Sequence, residues 1–184
     1  MLDYGCGVVA YRSFFPPEAH YAAADLPGNP HANLLLKEDG SVPAPDESFD
    51  IVMSTQVLEH VPDPGLYLSE CFRALRPGGR MLLSTHGTFV YHPDPDDYWR
   101  WTCAGLQKAV RDAGFDVVRF EGIIGELPTG LQLVQDSIYW KLPRVGRPLL
   151  ALVMQTLITL ADRLHSDGSR ALNAQVFALV AEKP

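Results

Sequence analysis

Met1-Leu2-Asp3-Tyr4-Gly5-Cys6-Gly7 opens the chain, and the reading of this stretch decides the fold. Leu2 to Tyr4 is a short apolar strand, and Gly5-Cys6-Gly7 is a turn whose glycines let backbone approach a bound molecule closely. Such a turn belongs at the carboxyl edge of an open parallel sheet, where ligands bind. The helix expected to follow offers free N–H groups to an anionic part of a ligand. Gly5-x-Gly7-x-x-Ala10 matches the Gly/Ala form of the dinucleotide-binding fingerprint. Asp25 follows Gly5 by twenty residues, where an acid accepts hydrogen bonds from a ribose in such folds. On these residues alone, a purely structural tight turn and a solvated Asp25 ahead of Pro27-Gly28 stay open.

Outward from that turn, the chain alternates short apolar runs with helical periodicity. A helical segment is expected after Gly7, up to Pro16-Pro17. Tyr21 to Asp25 and Asn33 to Leu36 read as short strands, and Phe49 to Ser54, with Ile51, Val52 and Met53 in a row, as a central strand buried on both faces. Asp63 is a cap and Pro64 a first-turn residue for a helix with Leu68, Cys71, Phe72 and Leu75 on one face, ended by Pro77 and Gly78-Gly79. Arg80 to Thr85 supplies a fifth strand. Leu106, Ala109, Val110 and Ala113 repeat the helical spacing before Gly114 and a sixth strand, Phe115 to Phe120. Residues 126–168 are mostly helical and apolar, and Ala174 to Ala181 is a last strand. This rhythm implies βαβ crossovers and a largely parallel sheet.

The composition bounds the function. With 184 residues the chain makes about one domain. Fifteen Lys and Arg against 22 Asp and Glu give a net charge of −7, which argues against a nucleic-acid partner because phosphate binding needs a basic surface. Cys6, Cys71 and Cys103 are far apart and form no ligand pair, fitting a reducing cytoplasm and no disulfide framework. The N-terminus has no signal-peptide pattern. The apolar run Pro148 to Ala161 is too short for a transmembrane span, so a cytoplasmic protein is expected.

Five blocks in order carry a more specific reading: Leu2-Asp3-Tyr4-Gly5-Cys6-Gly7, Ser48-Phe49-Asp50-Ile51-Val52, Val57-Leu58-Glu59-His60-Val61, Leu75-Arg76-Pro77-Gly78-Gly79-Arg80-Met81-Leu82-Leu83 and Ala113-Gly114-Phe115. Over roughly Met1 to Phe120 the chain resembles the class I S-adenosylmethionine (SAM)-dependent methyltransferases, type 11 subgroup. The resemblance implies one α/β domain over 1–184. Its Rossmann-like, doubly wound and mostly parallel sheet would end in an antiparallel strand, with 126–168 as a helical insertion before it. It implies SAM as cofactor. Asp3, Gly5, Cys6 and Gly7 would hold its methionine part, Asp25 with Leu26 its ribose, and Asp39-Gly40 its adenine. Ser54, Thr55 and Gln56 would line the pocket near the reacting methyl group, and His60 would occupy the position of the family's histidine in the Leu58-Glu59-His60-Val61 block, shaping the pocket. Two departures stand out. Val9 occupies the position of the family's third glycine, and the chain begins at the motif itself, without the helices that usually precede it, so a truncated or degenerate copy is expected.

Tyr91 to Thr102 follows the fifth strand and packs aromatics, carboxylates, His92 and Arg100 into twelve residues. One reading makes it a wall of the acceptor site, with Tyr91, His92, Tyr98, Trp99 and Trp101 facing a small-molecule substrate and His92 taking a proton. The other makes it a proline-rich surface loop with a helix cap at Thr102. His60, His86 and His92 lack metal-ligand spacing, so no metal is expected. Between 149 and 164, apolar residues at 150, 153, 154, 157, 161 and 164 define a core face. Leu149, Leu152, Ile158 and Leu160 are left for core packing, a homodimer mate, a peripheral membrane contact or a lost N-terminal segment. A nicotinamide-dependent oxidoreductase and a SAM-fold binding module without activity are the rival functions.

Overall fold

The computed structural model describes residues 1–184. Its strands are β1 (Leu2–Tyr4), β2 (Ala22–Asp25), β3 (Leu34–Leu35), β4 (Phe49–Thr55), β5 (Leu75–His86), β6 (Asp116–Gly125) and β7 (Ala174–Glu182). They form one sheet in the order β3-β2-β1-β4-β5-β7-β6. The first five pair in parallel, and β7 runs antiparallel between β5 and β6. The strand order reverses at β1, which lies between β2 and β4, so the Gly5–Gly7 turn sits at the switch point where open α/β sheets take ligands. The α/β, Rossmann-like architecture is the one expected.

The helices are α1 (Pro64–Ala74), α2 (Cys103–Asp112), α3 (Glu126–Tyr139), α4 (Arg147–Asp162) and α5 (Asp167–Leu172). Asp63 caps α1 by accepting from Leu66 N, and Thr102 caps α2 by accepting from Gly105 N. Both caps satisfy amides that have no partner inside the helix. Leu68, Cys71 and Ala74 of α1 and Leu106 and Val110 of α2 bury against Val52, Met81, Leu83, Phe177 and Leu179 to make one core on one face of the sheet. The other face holds a concavity of about 350 Å³ lined by Met53, Thr55, Leu82, Ser84, Ala178 and Val180, with Tyr11 at its rim.

Several local expectations are corrected. The helix after Gly7 reduces to a single 3-10 turn, Arg12–Phe14, with no buried residue. Val9 sits at φ +57°, off the helical path, and without an apolar face to bury so short a segment does not sustain a helix. Helix α1 ends at Ala74, before Gly78-Gly79, because Pro77 disfavours helical backbone at Arg76 and Leu75 is already extended at ψ 140°. Strand β6 runs to Gly125, and the insertion continues to Leu172 as three helices. On α4 the buried stripe is Met154, Ile158 and Ala161. Ile158 therefore faces inward, while Val153, Leu157 and Leu164, expected on the core face, are exposed. The reason is that α4 packs chiefly on one neighbour, α3, which covers a single narrow seam. No helix is long and apolar enough to cross a membrane.

Candidate active site

The turn after β1 is held in a strained but well-tied shape. Gly5 has φ +79°, and a Cβ there would lie 2.5 Å from Val57 Cγ2. The amides of Gly5 and Cys6 both donate to Ala24 O, at 2.9 and 3.1 Å, fastening the turn to β2. Gly7, at φ +52°, faces open space, and its amide donates to Asp25 Oδ2 at 2.9 Å. Asn29 Nδ2 bridges Asp25 Oδ2 and Gly7 O at 2.7 Å each. Asp25 Oδ1 accepts only from Leu26 N, at 2.8 Å, so it keeps acceptor capacity for a ligand. Cys6 is buried, and desolvation, with Asp25 beside it, pushes its thiol up to about 12. It remains a neutral wall of the turn.

Asp3 is buried within β1. Tyr21 donates its hydroxyl to Oδ2, while Oδ1 has no partner. Burial pushes its pKa above the usual carboxylate range, against the opposing pull of the Tyr21 bond. Tyr4 donates to Gly40 O at 2.6 Å, which hitches the Asp39-Gly40 loop to the end of β1. Asp39 is exposed and accepts from Ser41 N at 2.9 Å, and the hydrogen bonds from Ser41 hold its carboxyl below the usual range.

Beyond β4 one expectation fails. Ser54 is fully buried, and its Oγ accepts from Tyr67 at 2.8 Å. It lies on the α1 face with Val52 because strand side chains alternate, so it does not line the pocket. Gln56 leaves the strand at φ +55°. Its Nε2 donates to Ser84 Oγ at 3.1 Å, and its Oε1 is buried without a partner.

The loop after β5 closes over the turn after β4. The amides of Tyr98 and Trp99 donate to Glu59 O at 2.8 and 3.2 Å, and Trp101 N donates to His86 O at 3.0 Å. Trp99 Nε1 donates to Val61 O at 2.8 Å. Arg100 grips Asp97 through both carboxylate oxygens at 2.6 Å, an arrangement that holds the Asp97 carboxyl well below its ordinary value. Inside this clamp the His92 ring meets those of His60 at 5.0 Å, His86 at 4.7 Å and Phe89 at 4.9 Å. His60 Nδ1 is bound to Asp96 O, so that ring is anchored. Tyr91 and Tyr98 are exposed, and Trp101 packs on the core with its Nε1 unpartnered.

The same end of the sheet holds donors that spacing along the chain did not single out. Glu59 is fully buried and accepts from Thr85 Oγ1 at 2.8 Å. Its Oε1 lies 3.5 Å from His86 Nε2. Burial, with the charges of His92 and Arg100 adding to it, pushes His86 down to about 4, which leaves it neutral near pH 7. Two signals in the sequence pointed here. Glu59 is a charged residue between Leu58 and His60-Val61, and Thr85-His86 ends the strand that carries the apolar run Met81-Leu82-Leu83.

Residues 2–83 match the family model described as a methyltransferase domain. A probable S-adenosylmethionine-dependent methyltransferase of Mycolicibacterium smegmatis is 35% identical over 122 residues, covering 63% of this chain and 42% of that protein. Over this stretch the chain is similar to SAM-dependent methyltransferases. A ubiquinone biosynthesis O-methyltransferase of Maricaulis maris is 29% identical over 158 residues, covering 83% of this chain and 51% of the relative. The chain thus spans about half the length of these curated methyltransferases. Among solved structures, a SAM-dependent methyltransferase from Mesorhizobium loti superimposes with a TM-score of 0.61 at 16% identity, over 98% of this chain and 89% of that one. The cyclase SpnF superimposes with a TM-score of 0.62 at 18% identity, over 100% and 73%. These two likenesses concern the methyltransferase fold, which carries more than one chemistry.

Proposed function

We propose that the protein transfers a methyl group from SAM to a hydroxyl oxygen of a small-molecule acceptor. The observation that carries the cofactor half is Asp3 Oδ1, a buried acceptor without a partner next to the Gly5–Gly7 turn. A buried acceptor left unpaired costs about 1–3 kcal/mol, and a cationic amine such as that of the methionine part of SAM would satisfy it. Asp25 Oδ1, with one donor, suits a ribose hydroxyl. Asp39-Gly40 and Gln56 would flank the rest of the cofactor, which supplies an electrophilic methyl group when bound. The chain's own task is then to orient the acceptor and exclude water.

An oxygen acceptor is suggested by the O-methyltransferase from Maricaulis maris, the relative aligned over 83% of this chain. The aromatic loop Tyr91–Trp101 would form the acceptor wall. The proton released by the hydroxyl would pass to the cluster of Glu59, His86 and His92, of which His92 is the least buried member. A single methyltransferase domain over 1–184 is part of this reading.

Titration calorimetry with S-adenosylhomocysteine tests the cofactor half. Saturable heat is expected, with NADH giving none, and Asp25→Ala should weaken binding at least tenfold. NADH binding without S-adenosylhomocysteine binding would favour the oxidoreductase. Cofactor binding without turnover of any hydroxylated acceptor would favour a binding module.

We also propose that the α3–α4 hairpin rests on an anionic membrane surface. Trp140, Val145 and Leu149 are 74%, 91% and 67% exposed. Residues 139–164 hold four basic side chains, Lys141, Arg144, Arg147 and Arg163, against one acid, Asp162, in a chain of net charge −7. Exposed apolar surface beside a basic cluster matches the chemistry of an acidic lipid interface.

A further inference from the structure

Glu59, His86 and His92 come from three separate segments: the turn after β4, the end of β5 and the loop that closes over both. The fold nevertheless brings one ligand atom from each to within 4.8 Å of the others. Their positions are separated by 27 and 6 residues, a pattern no metal-site motif contains, which is why spacing along the chain pointed to no metal.

Glu59 is short of a partner in a way that a cation would correct, and the two imidazoles offer it nitrogen ligands. Glu59 has no exposed surface and makes one hydrogen bond through Oε2, from Thr85, while Oε1 makes none. Its only ion-pair neighbour is His86, with Nε2 3.5 Å from Oε1, a separation beyond good hydrogen-bond geometry. The nearby guanidinium of Arg100 is already committed to Asp97. His86 is buried, stacks on Phe89 at 4.2 Å and leaves Nδ1 unpartnered. His92 is oriented from behind. Its Nδ1 lies 3.1 Å from Val90 O and 3.3 Å from Asp97 Oδ2, two acceptors that fix the ring proton on Nδ1 and leave the Nε2 lone pair free. Arg100 Nη2 stands 3.4 Å from the same Nδ1 but already donates to Val90 O and Asp97 Oδ2 at 2.6 Å each. A carboxylate and a carbonyl behind an imidazole are the usual supports of a metal-binding histidine.

We propose that Glu59, His86 and His92 bind one divalent cation of the zinc class at the acceptor end of the site. Two imidazoles and one carboxylate suit zinc or a similar borderline ion rather than magnesium or calcium. Three protein ligands leave a coordination position open. Ligand atoms around such an ion stand about 3.4 Å apart, given bonds of about 2.0–2.2 Å, so the loop bearing His92 closes inward slightly on loading. The metal's role rests on the methyl-transfer reading: an acceptor hydroxyl in the open position would lose its proton more readily, and with all three cluster residues serving as ligands the proton would leave on a solvent water. In the loaded protein His92 then acts through the ion and does not take the proton itself. Binding of the ion stands independently of that reading.

The test uses the whole chain, freed of metal and titrated with Co²⁺ and, by competition with a chromophoric chelator, with Zn²⁺. One equivalent should bind, with the visible absorption of four- or five-coordinate Co²⁺. His92→Ala and Glu59→Gln should each weaken binding at least tenfold, while His31→Ala, on the exposed surface, should not. His92→Ala removes a loop side chain and guards against misfolding of the buried Glu59 variant, with circular dichroism as the check. Failure to bind either ion, or undiminished binding by His92→Ala, would overturn the proposal. Calorimetry with S-adenosylhomocysteine on the same metal-free sample separates the two ideas. Cofactor heat without metal uptake sinks the metal site alone, and metal uptake without cofactor heat sinks the methyl-transfer reading alone.

Discussion

Val9 is the residue at which sequence and backbone disagree most sharply. It holds φ +57°, a left-handed conformation that costs an L-residue about 1–2 kcal/mol and is worst for β-branched side chains. The departure from the family's third glycine was visible in the sequence. Its consequence, a 3-10 turn in place of a helix, was not, because that depends on whether the following residues find anything to pack against, and none of Arg12–Phe14 is buried. Val9→Gly should relieve the strain while giving the unfolded chain more freedom, for a net gain of about 0.5–1 kcal/mol. A higher urea midpoint at unchanged m-value is the expected result, and an unchanged or lower midpoint would show that Val9 carries no strain.

At the scale of elements, legibility followed the locality of the signal. Helix α1 was readable because Asp63, Pro64 and its apolar stripe lie within one dozen residues and all agree. Its C-terminus was not, since the partner of its last carbonyls is Lys183, more than a hundred residues away. Lys183 Nζ donates to Leu75 O at 2.8 Å and Phe72 O at 3.0 Å and sits 4.6 Å from the Phe72 ring centroid. A cation there satisfies orphan carbonyls and complements the helix dipole. The site obeyed the same rule. The Gly5–Gly7 turn and Asp25 were legible as a local motif, whereas the Glu59, His86 and His92 cluster exists only once β4, β5 and the closing loop are side by side. Lys183→Met keeps the length and apolar stem but strips the donors, and should cost about 2 kcal/mol. Differential scanning calorimetry should register this as a melting temperature lower by roughly 4–8 °C. A shift under a degree would mean that water replaces the ammonium without loss.

For the whole molecule, net charge alone misleads. The value of −7 argues against a nucleic-acid partner, but it averages over a surface on which the turn between α3 and α4, with Lys141, Arg144 and Arg147, is basic. Lys141 and Arg144 are exposed, and Arg147 lies 4.9 Å over the Trp140 ring, so these basic groups frame the apolar patch of Trp140, Val145 and Leu149. Each basic residue near an anionic bilayer contributes about 1 kcal/mol, so Lys141, Arg144 and Arg147 together favour acidic over neutral vesicles by a factor on the order of a hundred. That preference should shrink as salt shortens the screening length to below about 8 Å. Co-sedimentation with phosphatidylserine-containing vesicles is therefore expected, little or none with phosphatidylcholine alone, and a marked loss for Val145→Asp with Trp140→Ala. If the patch instead meets a second copy of the chain, sedimentation equilibrium will report a concentration-dependent mass that the same double variant abolishes, with vesicles left unbound.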